Sequence, residues 1–267
     1  MNVLITGSTD GLGANAAKRF SANNYDVIVH GRDAARGERV VDDIRTAGGN
    51  ATFHRADLAS LRDVRALAQT IAAEYERIDV LVNNAGIGAG TQKQTSVDGF
   101  ELRFAVNYLA GFLLTRLLLP TVLAAGNGRV INVSSLGQQA IDFDDVMIDH
   151  DYSGVRAYRQ SKLAQILFTF DLADELRGRA VANCLHPATF MDTTMVRADG
   201  VTPISTIDKG ADAVMRVAAL PAGETGRFFD VLEPKRANAQ AYDLEARATL
   251  RELTEVLVAP WSAALIR

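Results

Sequence analysis

Short runs of β-branched or aliphatic residues alternate along this chain with longer stretches of helical periodicity. The runs are residues 3–5, 26–30, 52–55, 80–82, 129–133, 180–185 and 226–231. The stretches between them include 12–22, 35–47, 60–75, 97–124, 158–177 and 209–219. Most of the runs lack polar alternation, as strands covered on both faces must. Strand and helix in strict alternation specify a parallel sheet with helices on both sides. The expected fold is α/β, one doubly wound parallel sheet of about seven strands with right-handed crossovers. No Pro-, Gly- or Ser-rich linker divides the 267 residues, so one domain spanning 1–267 is expected. Segments 138–156 and 189–208 fit the alternation badly. Both follow strand C-termini, the sheet edge where such folds bind ligands, and are expected to rim a substrate site.

The first run passes directly into Thr6-Gly7-Ser8-Thr9-Asp10-Gly11-Leu12-Gly13 and then a helix. Glycines let the backbone turn tightly and approach a pyrophosphate, and the helix start offers it free N–H groups and partial positive charge. Gly7, Ser8, Thr9, Gly11, Leu12 and Gly13 are therefore candidate dinucleotide contacts. The second run ends at His30-Gly31-Arg32, with Arg36 one helical turn on. No acidic residue stands at that strand end to bind both ribose hydroxyls of NAD. Two guanidinium groups suit a 2′-phosphate, so NADP is the expected cofactor, with NAD possible. Asp33 between them also fits a merely solvated helix start.

The motifs Thr6-Gly-x-x-x-Gly11-x-Gly13, Asn83-Asn84-Ala85-Gly86, Asn107, Asn132-Val133-Ser134-Ser135 and Tyr158-Arg-Gln-Ser-Lys162 follow in that order. Together they resemble the short-chain dehydrogenase/reductase family in its ordinary branch. The stretch Arg32 to Gly37 further resembles carbonyl reductases and retinol-dehydrogenase-like members. The resemblance runs from residue 1 to about 231 and implies an NAD(P)-binding Rossmann domain. It implies that Asp57 accepts a hydrogen bond from adenine with Leu58 beside the ring, and that Asn83, Ala85 and Gly86 lie along the ribose. Pro187 then opens the segment at the nicotinamide. The usual Pro-Gly is here Pro187-Ala188, and the threonine that follows is Thr189, Thr193 or Thr194; Thr189 is the candidate carried forward. Dimers or tetramers are implied as well, although the insertion before Tyr158 is able to block the usual helix pairing.

Tyr158 and Lys162, four residues apart on a helix, share one face. A Lys ammonium about 5 Å from a phenol favours the phenolate by roughly 3 kcal/mol at an effective dielectric near 20. Tyr158 then becomes a general acid/base near neutral pH. Ser135, just past the fifth strand, is placed to hydrogen-bond the substrate oxygen, with Ser134 on the opposite face. The resemblance adds that Lys162 holds the nicotinamide ribose and that the Asn107 carbonyl holds a water linked to it. The expected reaction is hydride transfer between a nicotinamide and a carbonyl or secondary alcohol. A catalytically silent cofactor-binding sensor or scaffold, or a non-redox lyase or isomerase, stays open as an alternative.

Composition narrows the partners. The 28 basic and 32 acidic residues leave a net charge of −4 with no long run of one sign, which disfavours nucleic acid. No apolar run reaches the roughly 18 residues of a spanning helix, and no signal peptide pattern is present, so a cytoplasmic protein is expected. The lone Cys184 forms no internal disulfide and reads as core. Asp142, Asp144, Asp145, Asp149, His150 and Asp151 crowd one insertion, but their spacing fails that of a calcium loop, and a solvated acidic loop is expected. His186 reads as a structural hydrogen-bonder. Met191 and Met195 either line an apolar pocket or cap a lid. The amphipathic stretch 240–257 closes the pocket or packs against another subunit.

Overall fold

In a computed structural model of the protein, residues 1–198 and 200–262 are described. Asp199 of the expected rim segment 189–208, and 263–267 of the expected single domain, lie outside them. The strands are β1 (Asn2–Ile5), β2 (Asp26–Gly31), β3 (Ala51–Arg55), β4 (Val80–Asn83), β5 (Arg129–Val133), β6 (Val181–His186), β7 (Phe228–Asp230) and β8 (Glu233–Pro234). The helices are α1 (Gly11–Ala22), α2 (Ala34–Thr46), α3 (Leu61–Glu74), α4 (Ala110–Leu123), α5 (Gly154–Glu175), α6 (Thr194–Ala198), α7 (Ile207–Ala218) and α8 (Leu244–Val258).

One sheet carries all eight strands in the order β3-β2-β1-β4-β5-β6-β7-β8. β8 is the one strand beyond the about seven expected, and its pairing with β7 is antiparallel. It is two residues long, and as the edge strand it tolerates Pro234, which has no N–H to donate. Within the sheet, alternate side chains feed two separate cores. Leu4, Ile28, Leu81 and Val130 face α3, α4 and α5. Val3, Ile5, Val27, Val29, Val80 and Val82 face α1, α2 and α7. The strand period of two divides each uniformly apolar run between the faces.

Helix starts follow side-chain caps: Ser60, Ser153 and Thr206 each accept from the backbone N–H three residues on. The Ser153 cap starts α5 at Gly154, four residues before the expected 158. The expected helix 97–124 is also revised. Thr95 and Glu101 instead form a short antiparallel bridge, and Phe104–Leu109 is a π-helical stretch that runs on into α4. Phe104–Leu123 is thus a continuous helix of 20 residues, long and apolar enough by composition to cross a membrane. No uninterrupted apolar run reaches that length, because Asn107, Thr115 and Arg116 break it without ending the helix. Of its most apolar window, 67% is buried inside this fold.

α8 packs on its own chain. Arg247 reaches Asp171 and Asp174 of α5 at 2.8 and 2.6 Å, and Thr254 meets the Tyr108 hydroxyl at 2.8 Å. The C-terminal edges of β1 and β4 flank the point where strand order reverses, and there the fold opens a cleft.

Candidate active site

The cleft holds a cavity of about 1220 Å³. That exceeds a pocket for one small ligand, so a dinucleotide and a substrate fit together. Its floor is the turn after β1. Gly7 has φ +63°, and a Cβ there would lie 2.9 Å from the Ala85 Cα, so the turn and the loop after β4 sit nearly backbone to backbone. At Gly13 a Cβ would overlap the Gly7 carbonyl oxygen. Thr6 locks the two loops together, its Oγ1 accepting from the Asn84 and Ala85 N–H groups at 3.0 Å each. Such a cradle admits a pyrophosphate because nothing larger than hydrogen projects from its glycines.

The structure sorts the expected cofactor residues. Gly7, Thr9, Gly11, Leu12 and Gly13 line the cavity, as do Asp57, Leu58, Ala85, Gly86, Pro187 and Thr189. Ser8 does not. It is buried, and its hydroxyl donates to the Ile5 carbonyl at 2.7 Å and accepts from the His30 N–H at 3.0 Å. Asn83 turns into the core, donating to Thr115 Oγ1 at 2.9 Å and Asn132 Oδ1 at 2.8 Å. Its neighbour Asn84 lines the cavity instead and donates to the Thr6 and Gly7 carbonyls. The strand period decides Asn83, which falls on the inward phase of β4, whereas Ser8, in the turn after β1, is drawn inward by its bonds to Ile5 and His30. His30, which the motif did not single out, accepts the Gly7 N–H on Nδ1 at 3.2 Å. Burial pushes its imidazole down to about 4, so it stays neutral and keeps that lone pair available.

At the adenosine end Arg32 lines the cavity, 4.0 Å from Asp57 Oδ1. Arg36 does not line it. It is held by Asp10 at 3.4 Å and Asp33 at 3.6 Å, carboxylates that share its positive charge. Arg55 is an unanticipated third guanidinium: its Nε donates to the Arg32 carbonyl at 3.0 Å. Parallel register made it findable, since Arg55 stands opposite Gly31.

At the other end the expected catalytic groups converge. A methyl on Gly137 would lie 3.4 Å from Ser135 Oγ and 3.7 Å from Tyr158 Cε1, so both border the same small space. Ser135 Oγ accepts the Gly137 N–H at 3.0 Å, which fixes its rotamer and leaves its hydroxyl hydrogen to donate. Ser134 faces away, donating to the Lys162 carbonyl at 2.7 Å. Lys162 Nζ stands 5.8 Å from the Tyr158 ring centroid and donates to the Val133 carbonyl at 2.9 Å and Gln165 Oε1 at 3.0 Å. The lysine is buried, and desolvation lowers its ammonium to about 7. Its charge is therefore itself titratable at neutral pH, where a fixed ammonium was expected. The Asn107 side chain sits behind Gly86, accepting from the Ile87 N–H at 2.8 Å and donating to Ser161 Oγ at 3.0 Å. It lies in the π-helical stretch, a distortion frequent at functional sites.

The rim is uneven. Of 138–156 only Val155 lines the cavity; Gln138 is bonded to the Asn238 N–H, and Gln240 clasps the backbone of Ile141. The acidic residues there pair locally, Asp142 with Arg156 and Asp149 with Lys93, and no metal-holding group occurs among the described residues. The second segment does cover the cavity. Phe190, Met191 and Met195 line it, Thr193 packs on Gly11, and Thr194 donates to Asp10 Oδ2 at 2.7 Å. Thr189 is instead hydrogen-bonded to His186 Nε2 at 3.0 Å, the structural role expected of that histidine. Cys184 is core, and burial pushes its thiol up to about 12.

Comparison with known proteins matches this geometry. The family model described as short chain dehydrogenase matches residues 1–202. Retinol dehydrogenase 13 from Homo sapiens is 36% identical over an alignment covering 93% of this chain and 81% of that protein. An uncharacterized protein from Mycobacterium paratuberculosis superposes with a TM-score of 0.79 at 32% identity, covering 97% of this chain and 93% of that one. A protein assigned as a short-chain dehydrogenase, from Escherichia coli CFT073 and solved with NADPH, gives a TM-score of 0.70 at 28% identity, with 86% and 95% covered. With its glycine turn, Tyr158 and Lys162 all at one cleft, this chain belongs to the short-chain dehydrogenase family and is an NAD(P)-dependent oxidoreductase acting on CH–OH groups.

Proposed function

We propose that this protein interconverts an apolar carbonyl compound and the corresponding alcohol with NADP as its preferred cofactor, Tyr158 moving the proton. The observation that carries this is the convergence of Ser135, Tyr158 and buried Lys162 on one wall of a cavity whose opposite end is the glycine turn. The residues fit the dinucleotide: a pyrophosphate at Gly7 to Gly13, the adenosine end beside Asp57, Leu58 and Arg32. When bound, the nicotinamide supplies or receives the hydride.

The chain supplies the rest. Ser135 donates to the substrate oxygen and steadies the charge that develops on it. Tyr158 gives that oxygen a proton in reduction and takes one in oxidation. A charged Lys162 over the Tyr158 ring favours the phenolate, by about 3 kcal/mol for charges about 5 Å apart at an effective dielectric near 20. Leu136, Val155, Phe190 and Met195 present apolar surface at the mouth. Together with the relatives' name, retinol dehydrogenase, this supports an apolar alcohol or aldehyde as substrate. Arg32, which lines the cavity beside Asp57, supports the preference for a 2′-phosphate.

Tyr158→Phe tests the assignment. Turnover of a good alcohol or ketone is expected to fall at least a thousand-fold, while the NADPH Kd from fluorescence titration stays within about twofold. Wild-type kcat in that variant overturns it.

A further inference from the structure

Lys162 has three N–H donors, and two are already committed within the protein. One goes to the Val133 backbone carbonyl, which any sequence would supply. The other goes to Gln165, a side chain buried on the inward face of α5 at 3% exposure. A buried amide is retained only where its polar atoms find partners, and the lysine is the partner of Oε1. The third N–H is left for the cavity on the Gly86 side, where a methyl on Gly86 would lie 3.4 Å from Nζ.

Gln165 is itself held. Its backbone carbonyl accepts from Thr169 Oγ1 at 2.6 Å, Thr169 accepts from Asn132 Nδ2 at 2.8 Å, and Asn132 accepts from Asn83 at 2.8 Å. A polar line thus crosses the core from the sheet to the α5 backbone at Gln165, the residue whose side chain meets the lysine. We infer that Gln165 is a positioning residue whose amide oxygen holds Lys162 charged and aimed at Tyr158 and the cavity. This rests on Tyr158 being the acid–base group.

The surroundings leave Gln165 that task. Burial is what lowers Lys162, and no carboxylate offsets it. The group facing it from β5 is the Val133 carbonyl, which is neutral. From the Gly86 side Asn107 is neutral too, and from its own helix comes Tyr158. His186, at the end of β6, is a further titratable group that feels Lys162, and burial keeps it toward the neutral form. An ammonium in such a place keeps its proton only as far as dipoles aimed at it allow.

The test compares wild type with Gln165→Met and Gln165→Asn across pH 6 to 10 in alcohol oxidation, with NADPH Kd measured in parallel. Losing the acceptor lets the lysine discharge at lower pH, so the phenolate is less favoured near neutrality. The expected result for Gln165→Met is about a tenfold lower kcat at pH 7 and a half-maximal pH raised by about one, with rates converging at alkaline pH where the lysine is neutral in both. Gln165→Asn, one methylene short, shifts the same way and decides the matter if the Met variant fails to fold. Superimposable profiles, or a loss equal at every pH, overturn the inference. If Tyr158→Phe keeps wild-type turnover, the acid–base assignment fails instead; if that variant is dead and the Gln165 profiles do not move, only the role of Gln165 falls.

Discussion

The two ends of the cleft are built by different means. At the dinucleotide end the backbone makes the contacts. Gly7 lies against Ala85, Gly13 against the Gly7 carbonyl, and Thr6 ties the two loops together. At the substrate end the surface is made by side chains on a loop and a short helix: Phe190 is 48% exposed at φ +43°, and Met195 on α6 is 36% exposed. A bulky residue in the left-handed region is held there only by its neighbours. The difference teaches that the end which must accept a fixed ligand shape is set by steric exclusion. The end that selects among substrates is set by replaceable apolar surface.

The contrast makes graded demands. Gly13→Ala attacks the rigid end where there is no room, so NADPH binding is expected to vanish and Tm to drop sharply; a variant with wild-type Kd would show that the turn yields. Lys162→Met probes the cost of the buried ammonium. Its folded pKa, about 7, lies below the unfolded value, so the contribution to stability is complete above about 10.5 and is lost as pH falls toward 7. Ligand-free Lys162→Met is therefore expected to be more stable than wild type at pH 6, by about 1.4 kcal/mol for each pH unit that separates the folded and unfolded pKa values. The gap closes toward pH 10, and urea melts at both pH values measure it. Arg32→Ala is expected to weaken NADPH about 10- to 100-fold and to leave NADH nearly unchanged, with Arg36→Ala weaker because Asp10 and Asp33 already share its charge. Equal loss of both cofactors in a titration ends the phosphate assignment. Smallest is Phe190→Ala, expected to raise KM for an apolar substrate three- to tenfold, about 1 kcal/mol, without moving NADPH Kd.

Much of the molecule is legible in its residues alone. The alternation of runs predicted the sheet and both layers, and spacing alone paired Tyr158 with Lys162. The misses share a cause. Ser8 and Asn83 sit inside motifs whose other members touch the cavity, yet Asn83 falls on the inward phase of β4 and Ser8 is drawn inward by the Ile5 carbonyl. Arg55 and Gln165 belong to no motif; each matters because of what stands beside it in space. The segment 138–156 looked like a rim because it follows a strand end, but hydrogen bonds to Asn238 and Gln240, about a hundred residues later in the chain, hold it away from the cavity.

By itself, then, the chain's pattern of residues determined the layers, the glycine turn after β1 and the pairing of Tyr158 with Lys162 on one helix face, because these depend on local periodicity and on glycines that no other residue replaces. Only the tertiary structure decided the state of Lys162, whose charge is governed by burial. It alone decided which segment covers the substrate end, since that depends on pairings between distant parts of the chain.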